Sequence, residues 1–122
     1  MCKILIVDDN TTQRNIINFM LNITLTNPVI FEAINGREAV EITMKHPEID
    51  FIIMDLTMPI LDGFDATKLI RMFNKKTIIY ACSAASNISE FKQKCFEVGM
   101  NGVFNKPFTK DYVIIIRNSC LH

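Results

Sequence analysis

A doubly wound α/β domain, with one parallel sheet of five strands in the order 2-1-3-4-5, is the fold class that three observations predict. Short apolar runs alternate along the chain with amphipathic stretches of helical period. Two runs, Lys3-Ile-Leu-Ile-Val7 and Asp50-Phe-Ile-Ile-Met-Asp55, are apolar at every interior position, as in strands covered on both faces. Each predicted strand is followed by a predicted helix, which permits right-handed crossovers over both faces of a single sheet.

The elements follow in order. After Lys3–Val7, Thr11 or Thr12 can cap a helix in which Ile16, Ile17, Met20 and Ile23 fall at helical spacing, ending near Asn27-Pro28. Residues 28–33 form the second strand. Gly36 precedes a helix with Ala39, Val40, Thr43 and Met44 on one side, closed by His46-Pro47, because the residue before a proline avoids helical backbone. Residues 50–55 form the third strand. Pro59 and Asp62-Gly63 mark the next stretch as a loop, and Ala66, Leu69, Ile70 and Phe73 define the third helix. Residues 77–82 are the fourth strand. Ile88, Phe91, Cys95 and Val98 trace an amphipathic helix stopped by Gly99. Gly102–Asn105 is a short fifth strand. The last segment, from Thr109 or Asp111, carries Tyr112-Val-Ile-Ile-Ile116, whose β-branched residues favour strand, but its place after a fifth strand makes helix the expectation. The winding is the flavodoxin-like one.

The 122 residues suffice for one core, since a chain of this size buries roughly two-thirds of its unfolded surface. With no repeat, linker or low-complexity tract, a single domain over 1–122 is expected. Thirteen basic against 13 acidic residues, with no block of like charge, argue against a general nucleic-acid binder or a basic membrane-surface protein. Apolar runs such as Ile4–Val7 fall far short of the ~20 residues of a spanning helix, and residues 1–9 lack a signal-peptide pattern. A cytoplasmic location is expected. Cys2, Cys82, Cys95 and Cys120 form no Cys-x-x-Cys pair, so all four are expected to be reduced. Without a secretory route the Asn-x-Ser/Thr matches at Asn10, Asn22 and Asn87 are expected to be silent.

Ligands of open α/β sheets bind beyond the carboxyl ends of the strands, at the switch between strands one and three. Strand one ends in Asp8-Asp9, strand three in Asp55, strand four in Ser83, and strand five in Lys106 followed by Pro107. Taken singly, an Asp pair is a solvated turn, Asp55 or Ser83 a cap, and Lys106 an exposed lysine. Their joint placement at four strand ends is harder to assign to chance. Three crowded carboxylates repel unless a cation or a proton joins them, and hard oxygen ligands without nearby His or Cys point to Mg²⁺ or Mn²⁺. Such an ion leaves positions for phosphoryl oxygens. Asp55 can act as nucleophile, Lys106 as a positive charge and Ser83 as a hydroxyl donor for phosphoryl transfer.

These residues stand in the stretches Lys3-Ile-Leu-Ile-Val-Asp-Asp-Asn10, Ile53-Met-Asp-Leu-Thr-Met-Pro-Ile-Leu-Asp-Gly-Phe64, Cys82-Ser-Ala84 and Asn105-Lys-Pro-Phe108. Through them the chain closely resembles the receiver domain of two-component response regulators, the CheY-like family, over essentially its whole length. The resemblance implies that Asp55 accepts a phosphoryl group from a phosphohistidine on a histidine kinase or histidine phosphotransfer protein. It implies that Asp9, Asp55 and the backbone carbonyl of Thr57 bind Mg²⁺, with Asp8 assisting through water, and that Ser83 and Lys106 grip the phosphoryl oxygens. The protein would then be a signalling phosphoacceptor rather than an enzyme with a separate substrate. Val103 stands three places before the lysine, where the family usually has an aromatic residue that follows the strand-four hydroxyl inward on phosphorylation. Residues 54–67 look like those of receivers in hybrid kinases, which relay phosphate to a histidine phosphotransfer domain.

Three other readings compete. A haloacid-dehalogenase-type phosphatase wants a second Asp two places after its nucleophile, where Thr57 stands. An FMN-binding flavodoxin would find its phosphate repelled by Asp8 and Asp9. An interaction module that is never phosphorylated should have lost part of the acidic set, and none is lost. The run Val113–Ile116 is expected to leave apolar surface on the last helix for a partner or a phosphorylation-dependent homodimer.

Overall fold

The computed structural model describes residues 1–84 and 88–121. Strands β1 (Lys3–Val7), β2 (Val29–Ala33), β3 (Phe51–Asp55), β4 (Ile78–Ser83) and β5 (Gly102–Asn105) alternate with helices α1 (Thr11–Thr24), α2 (Gly36–Lys45), α3 (Gly63–Phe73), α4 (Ile88–Val98) and α5 (Lys110–Ser119). All strand pairs are parallel, in the order β2-β1-β3-β4-β5. Among the described residues no helix is long and apolar enough to cross a membrane.

The pleat divides each strand between two cores. Ile4 and Ile6 of β1, Phe51 and Ile53 of β3 and Phe104 of β5 face α1 and α5, where Ile17, Leu21, Val113 and Ile116 complete one cluster. Leu5 and Val7, with Ile52 and Met54, face the other side, against Ala39 of α2, Ala66 and Ile70 of α3 and Cys95 and Val98 of α4. Ile4, Leu5, Ile6 and Ile52 have no exposed surface. Each contributes roughly 1.5–3 kcal/mol by burial, and truncation of any of them to Ala costs about 2–5 kcal/mol.

Three helices begin at caps that fix loops beyond the carboxyl ends of the strands. The side-chain oxygens of Asn10, Asn35 and Asp62 accept the N–H groups of Gln13, Glu38 and Asp65, each at 2.9 Å. Such caps contribute about 1 kcal/mol apiece. Asn10 caps α1 in place of the expected Thr11 or Thr12.

The inward face of α1 also differs from expectation. Ile17 and Leu21 are buried, whereas Ile16 and Ile23 are 44% and 60% exposed. The helix is apolar around much of its circumference, so spacing alone does not select the buried stripe. Leu69 and Phe73 of α3 and Met44 of α2 likewise point largely outward. The α4 stripe holds at Cys95 and Val98; the side chain of Ile88 and the Asn87 motif lie outside the described residues. The last segment is a helix despite its β-branched run, because Val113 and Ile116 are buried fully against the sheet, while Ile114 and Ile115 remain 39% exposed.

The expectation of four reduced cysteines is corrected. Cys2 and Cys120 form a disulfide with Cα atoms 5.5 Å apart, and Cys82 and Cys95 are free and buried. Local spacing carries no sign of the pair, because its members are 118 residues apart and meet only where the start of β1 reaches the end of α5.

Candidate functional site

Asp8 and Asp9 follow directly from β1, Asp55 and Ser83 end β3 and β4, and Lys106 follows β5. Parallel pairing carries all of them to one edge of the sheet. They line one cleft together with Asn10, Gln13, Thr57, Phe64 and Phe91. Every site residue expected from the sequence is therefore in one place.

Lys106 Nζ lies 3.1 Å from Asp8 Oδ2 and 3.5 Å from Asp55 Oδ1. Its own N–H donates to the Ser83 carbonyl at 3.0 Å, tying the ends of β4 and β5 together. Asp8 Oδ1 accepts the N–H of Asn10 at 2.9 Å, and Asp55 Oδ1 accepts that of Thr57 at 3.4 Å. Asp8 and Asp55 are 2% and 6% exposed, while Asp9 is open to solvent.

Burial first, and then the charge of Asp8, push the Asp55 carboxyl from its ordinary 3.8 to about 6, against the opposing pull of Lys106 and the Thr57 N–H. For Lys106 burial works against the charge, but Asp55 and Asp8 outweigh it and hold the ammonium above its ordinary value. One ammonium thus does not fully compensate the carboxylates around it. One oxygen from each of Asp8, Asp9 and Asp55 lies within 4.8 Å of the others. That all-oxygen, anionic set fits a small hard dication such as Mg²⁺. The neighbouring thiol of Cys82, pushed up to about 12 by burial, stays protonated and adds no ligand.

The loop after β3 is held against the strand end by Gly63. Its N–H donates to the Leu56 carbonyl at 3.1 Å, and a Cβ there would collide with the carbonyl of Asp55. Only glycine lets α3 start so close to the acid.

Four side chains in or beside the cleft were not read as site residues from the sequence. Arg14 reaches back from α1, donating through Nη1 to the Asp8 carbonyl at 2.7 Å and through Nε to Glu32 at 3.1 Å. Phe64 and Phe91 stack at 6.4 Å between centroids on the α3–α4 side of the cleft, with Lys94 Nζ 4.3 Å from the Phe64 centroid. Arg14 carried a legible signal, four places after the cap Asn10 on the turn that follows the acids.

Val103 packs toward the α2–α4 side, and its neighbour Phe104, 1% exposed, points to the other face among Phe51, Tyr80, Phe108 and Tyr112. Phe104 therefore serves the α1–α5 core and does not substitute for an aromatic residue at 103.

The response regulator receiver domain model matches residues 4–116. The chain belongs to that family. Among relatives, it is 40% identical over 109 residues to hybrid signal transduction histidine kinase E of Dictyostelium discoideum, covering 86% of this chain and 6% of the kinase. The receiver thus spans a small fraction of that relative's length. It is 35% identical over 112 residues to the chemotaxis protein CheY of Halobacterium salinarum, covering 92% of this chain and 90% of CheY. Among solved structures, the CheX–CheY–BeF3–Mg complex of Borrelia burgdorferi matches this receiver with a TM-score of 0.87 at 26% identity, covering 99% of this chain and 90% of the other. The Saccharomyces cerevisiae complex of the histidine phosphotransfer protein Ypd1 with the receiver domain of Ssk1 matches with a TM-score of 0.83 at 32% identity, covering 93% and 83%. The receiver fold and its place in two-component phosphorelay signalling follow from this family membership.

Proposed function

We propose that residues 1–122 form one receiver domain in which Asp55 is the phosphoacceptor, and that its donor is a phosphohistidine on a histidine kinase or phosphotransfer protein. The observation that carries this is the Lys106 ammonium held between Asp8 and Asp55, 3.1 and 3.5 Å away, beside a third carboxylate. A carboxyl that titrates at about 6 is mostly ionised near neutral pH, so an Asp55 oxygen is available to attack phosphorus. The attack forms an acyl phosphate and expels the donor's imidazole, which takes up a proton. Lys106 offsets charge on the transferred oxygens, and the Ser83 hydroxyl, on the cleft wall, donates to one of them. Asp8, Asp9 and Asp55, with the Thr57 carbonyl, are the residues that would hold Mg²⁺, which when bound neutralises charge on the acid and on the incoming phosphoryl group.

The Ypd1–Ssk1 and CheY complexes support a phosphotransfer partner and Mg²⁺, and the hybrid kinases support a relay in which the phosphoryl group passes onward. A cytoplasmic setting accords with kinase partners. The half-exposed Ile114 and Ile115 of α5 are the apolar surface on which a phosphorylation-dependent homodimer would form.

Acetyl phosphate with Mg²⁺ is expected to add one phosphoryl group, read by intact mass. Asp55→Asn is expected to add none, and Lys106→Met to slow incorporation roughly 10²–10³-fold. Full labelling of the Asn variant would overturn the assignment of the acceptor.

A further inference from the structure

The second chemically distinctive cluster lies at the opposite end of the strands from the cleft. Cys2 precedes β1 and Cys120 caps α5, and their sulfurs are joined. Both backbones are held independently of that bond. The Cys2 carbonyl accepts the Val29 N–H at 2.9 Å, and the Cys120 N–H donates to Arg117 and Ile116 at 3.1 and 3.2 Å. The Cα atoms are 5.5 Å apart, within the range disulfides span, so the two backbones stand close enough for the bond.

Access separates this pair from the other thiols. Cys120 is half-buried and reachable, whereas Cys82 and Cys95 are 2% and 0% exposed and lie in different cores. A small thiol or disulfide in solution meets Cys120 first. Cys2 then stands as the resolving partner.

We propose that Cys2 and Cys120 are a reversible thiol–disulfide modification site, oxidised and reduced by low-molecular-weight disulfides and thiols of the glutathione type, and that oxidation staples α5 to β1. A Cys120 thiolate attacks the small disulfide and expels one thiolate. Cys2, losing its proton, then attacks the mixed disulfide at the Cys120 sulfur and expels the second. The protein loses two electrons and two protons, and the small disulfide becomes two thiols. The closed loop takes in nearly the whole chain, so the unfolded state loses much of its freedom, while the fold already holds the two backbones within bonding range.

The test equilibrates the full chain in glutathione buffers of graded ratio, traps thiols by alkylation, and follows intact mass, tryptic peptides and Tm. The expected result is a transition within the glutathione range to a species lacking two hydrogens, with Met1–Lys3 joined to Asn118–His122 and Cys82 and Cys95 alkylated only after unfolding. Oxidised wild type and Cys82→Ser are expected to melt roughly 10 °C or more above their reduced forms. Cys2→Ser and Cys120→Ser are expected to show no redox dependence of Tm. Stable glutathione adducts in place of the internal bond, a linkage through Cys82 or Cys95, no redox transition across the range, or equal Tm for the two wild-type forms would each overturn the proposal.

Discussion

Arg14 Nη1 donates to the main-chain carbonyl of Asp8 at 2.7 Å, so a side chain in the first turns of α1 anchors the backbone that carries two of the three cleft acids. The same guanidinium bonds Glu32 on β2 and the Thr11 hydroxyl, and its side chain is only 13% exposed. Arg14→Ala is expected to leave the fold intact by circular dichroism, to cost about 1–3 kcal/mol of stability through its charged hydrogen bonds, and to weaken Mg²⁺ binding several-fold as the acid loop loosens. Calorimetric titration giving wild-type Mg²⁺ affinity would show that the loop holds its shape without the anchor.

The titration of Asp55 makes stability depend on pH with a definite sign. Its folded value of about 6 lies above the ordinary 3.8, so the folded chain holds this proton more tightly than the unfolded one. The stabilisation from the bound proton is complete below about pH 4 and is lost as pH rises through about 6, a change of roughly 3 kcal/mol. Asp55→Asn is therefore expected to raise the metal-free Tm at neutral pH and to have little effect at about pH 4. Added Mg²⁺ is expected to stabilise wild type more than the variant at neutral pH. Equal Tm differences at the two pH values would remove Asp55 as the source.

Ile60, in the loop after β3, has φ of +73° and is 75% exposed. A β-branched residue in left-handed backbone is strained by about 1–2 kcal/mol, and little burial here offsets that. Ile60→Asn, which tolerates this backbone better, is expected to stabilise the protein by about 1 kcal/mol in urea denaturation. A loss of stability would show that the isoleucine side chain makes a contact worth more than the strain.

Gly63→Ala is expected to be damaging out of proportion to one methyl group. The added Cβ meets the Asp55 carbonyl, which cannot rotate away without moving the strand end. A loss of at least about 1–3 kcal/mol is expected, with acetyl phosphate labelling slowed more than in an equally destabilised core variant such as Ile53→Ala. Equal labelling rates in the two variants would mean that Asp55 keeps its place.

The strands and the cleft were legible because their signals are local. A run apolar at every interior position marks a strand covered on both faces, and its last residue marks the ligand edge, so Asp8, Asp55, Ser83 and Lys106 fell into place together. What was not legible depends on contacts distant in sequence. The buried face of α1 is chosen by β1 and α5, not by its own near-uniform apolar surface; Arg14 matters for a carbonyl it meets only after the chain turns; and Cys2 finds Cys120 across the whole fold. The left-handed backbone of Ile60 carries no residue signal at all, since its side chain argues against it.

Phe104 stacks on Tyr112 at 4.2 Å and meets Tyr80 at a tilt, 4.6 Å between centroids, and the Tyr112 hydroxyl accepts the N–H of Asn105, next to Lys106. The chain has two tyrosines and no tryptophan. All of its tyrosine emission therefore originates on one side of the sheet, from two rings that flank Phe104, one of them hydrogen-bonded to the residue beside the cleft lysine. The protein thus carries a built-in optical label for the β5–α5 side, read by exciting tyrosine at wavelengths where the nine phenylalanines do not absorb.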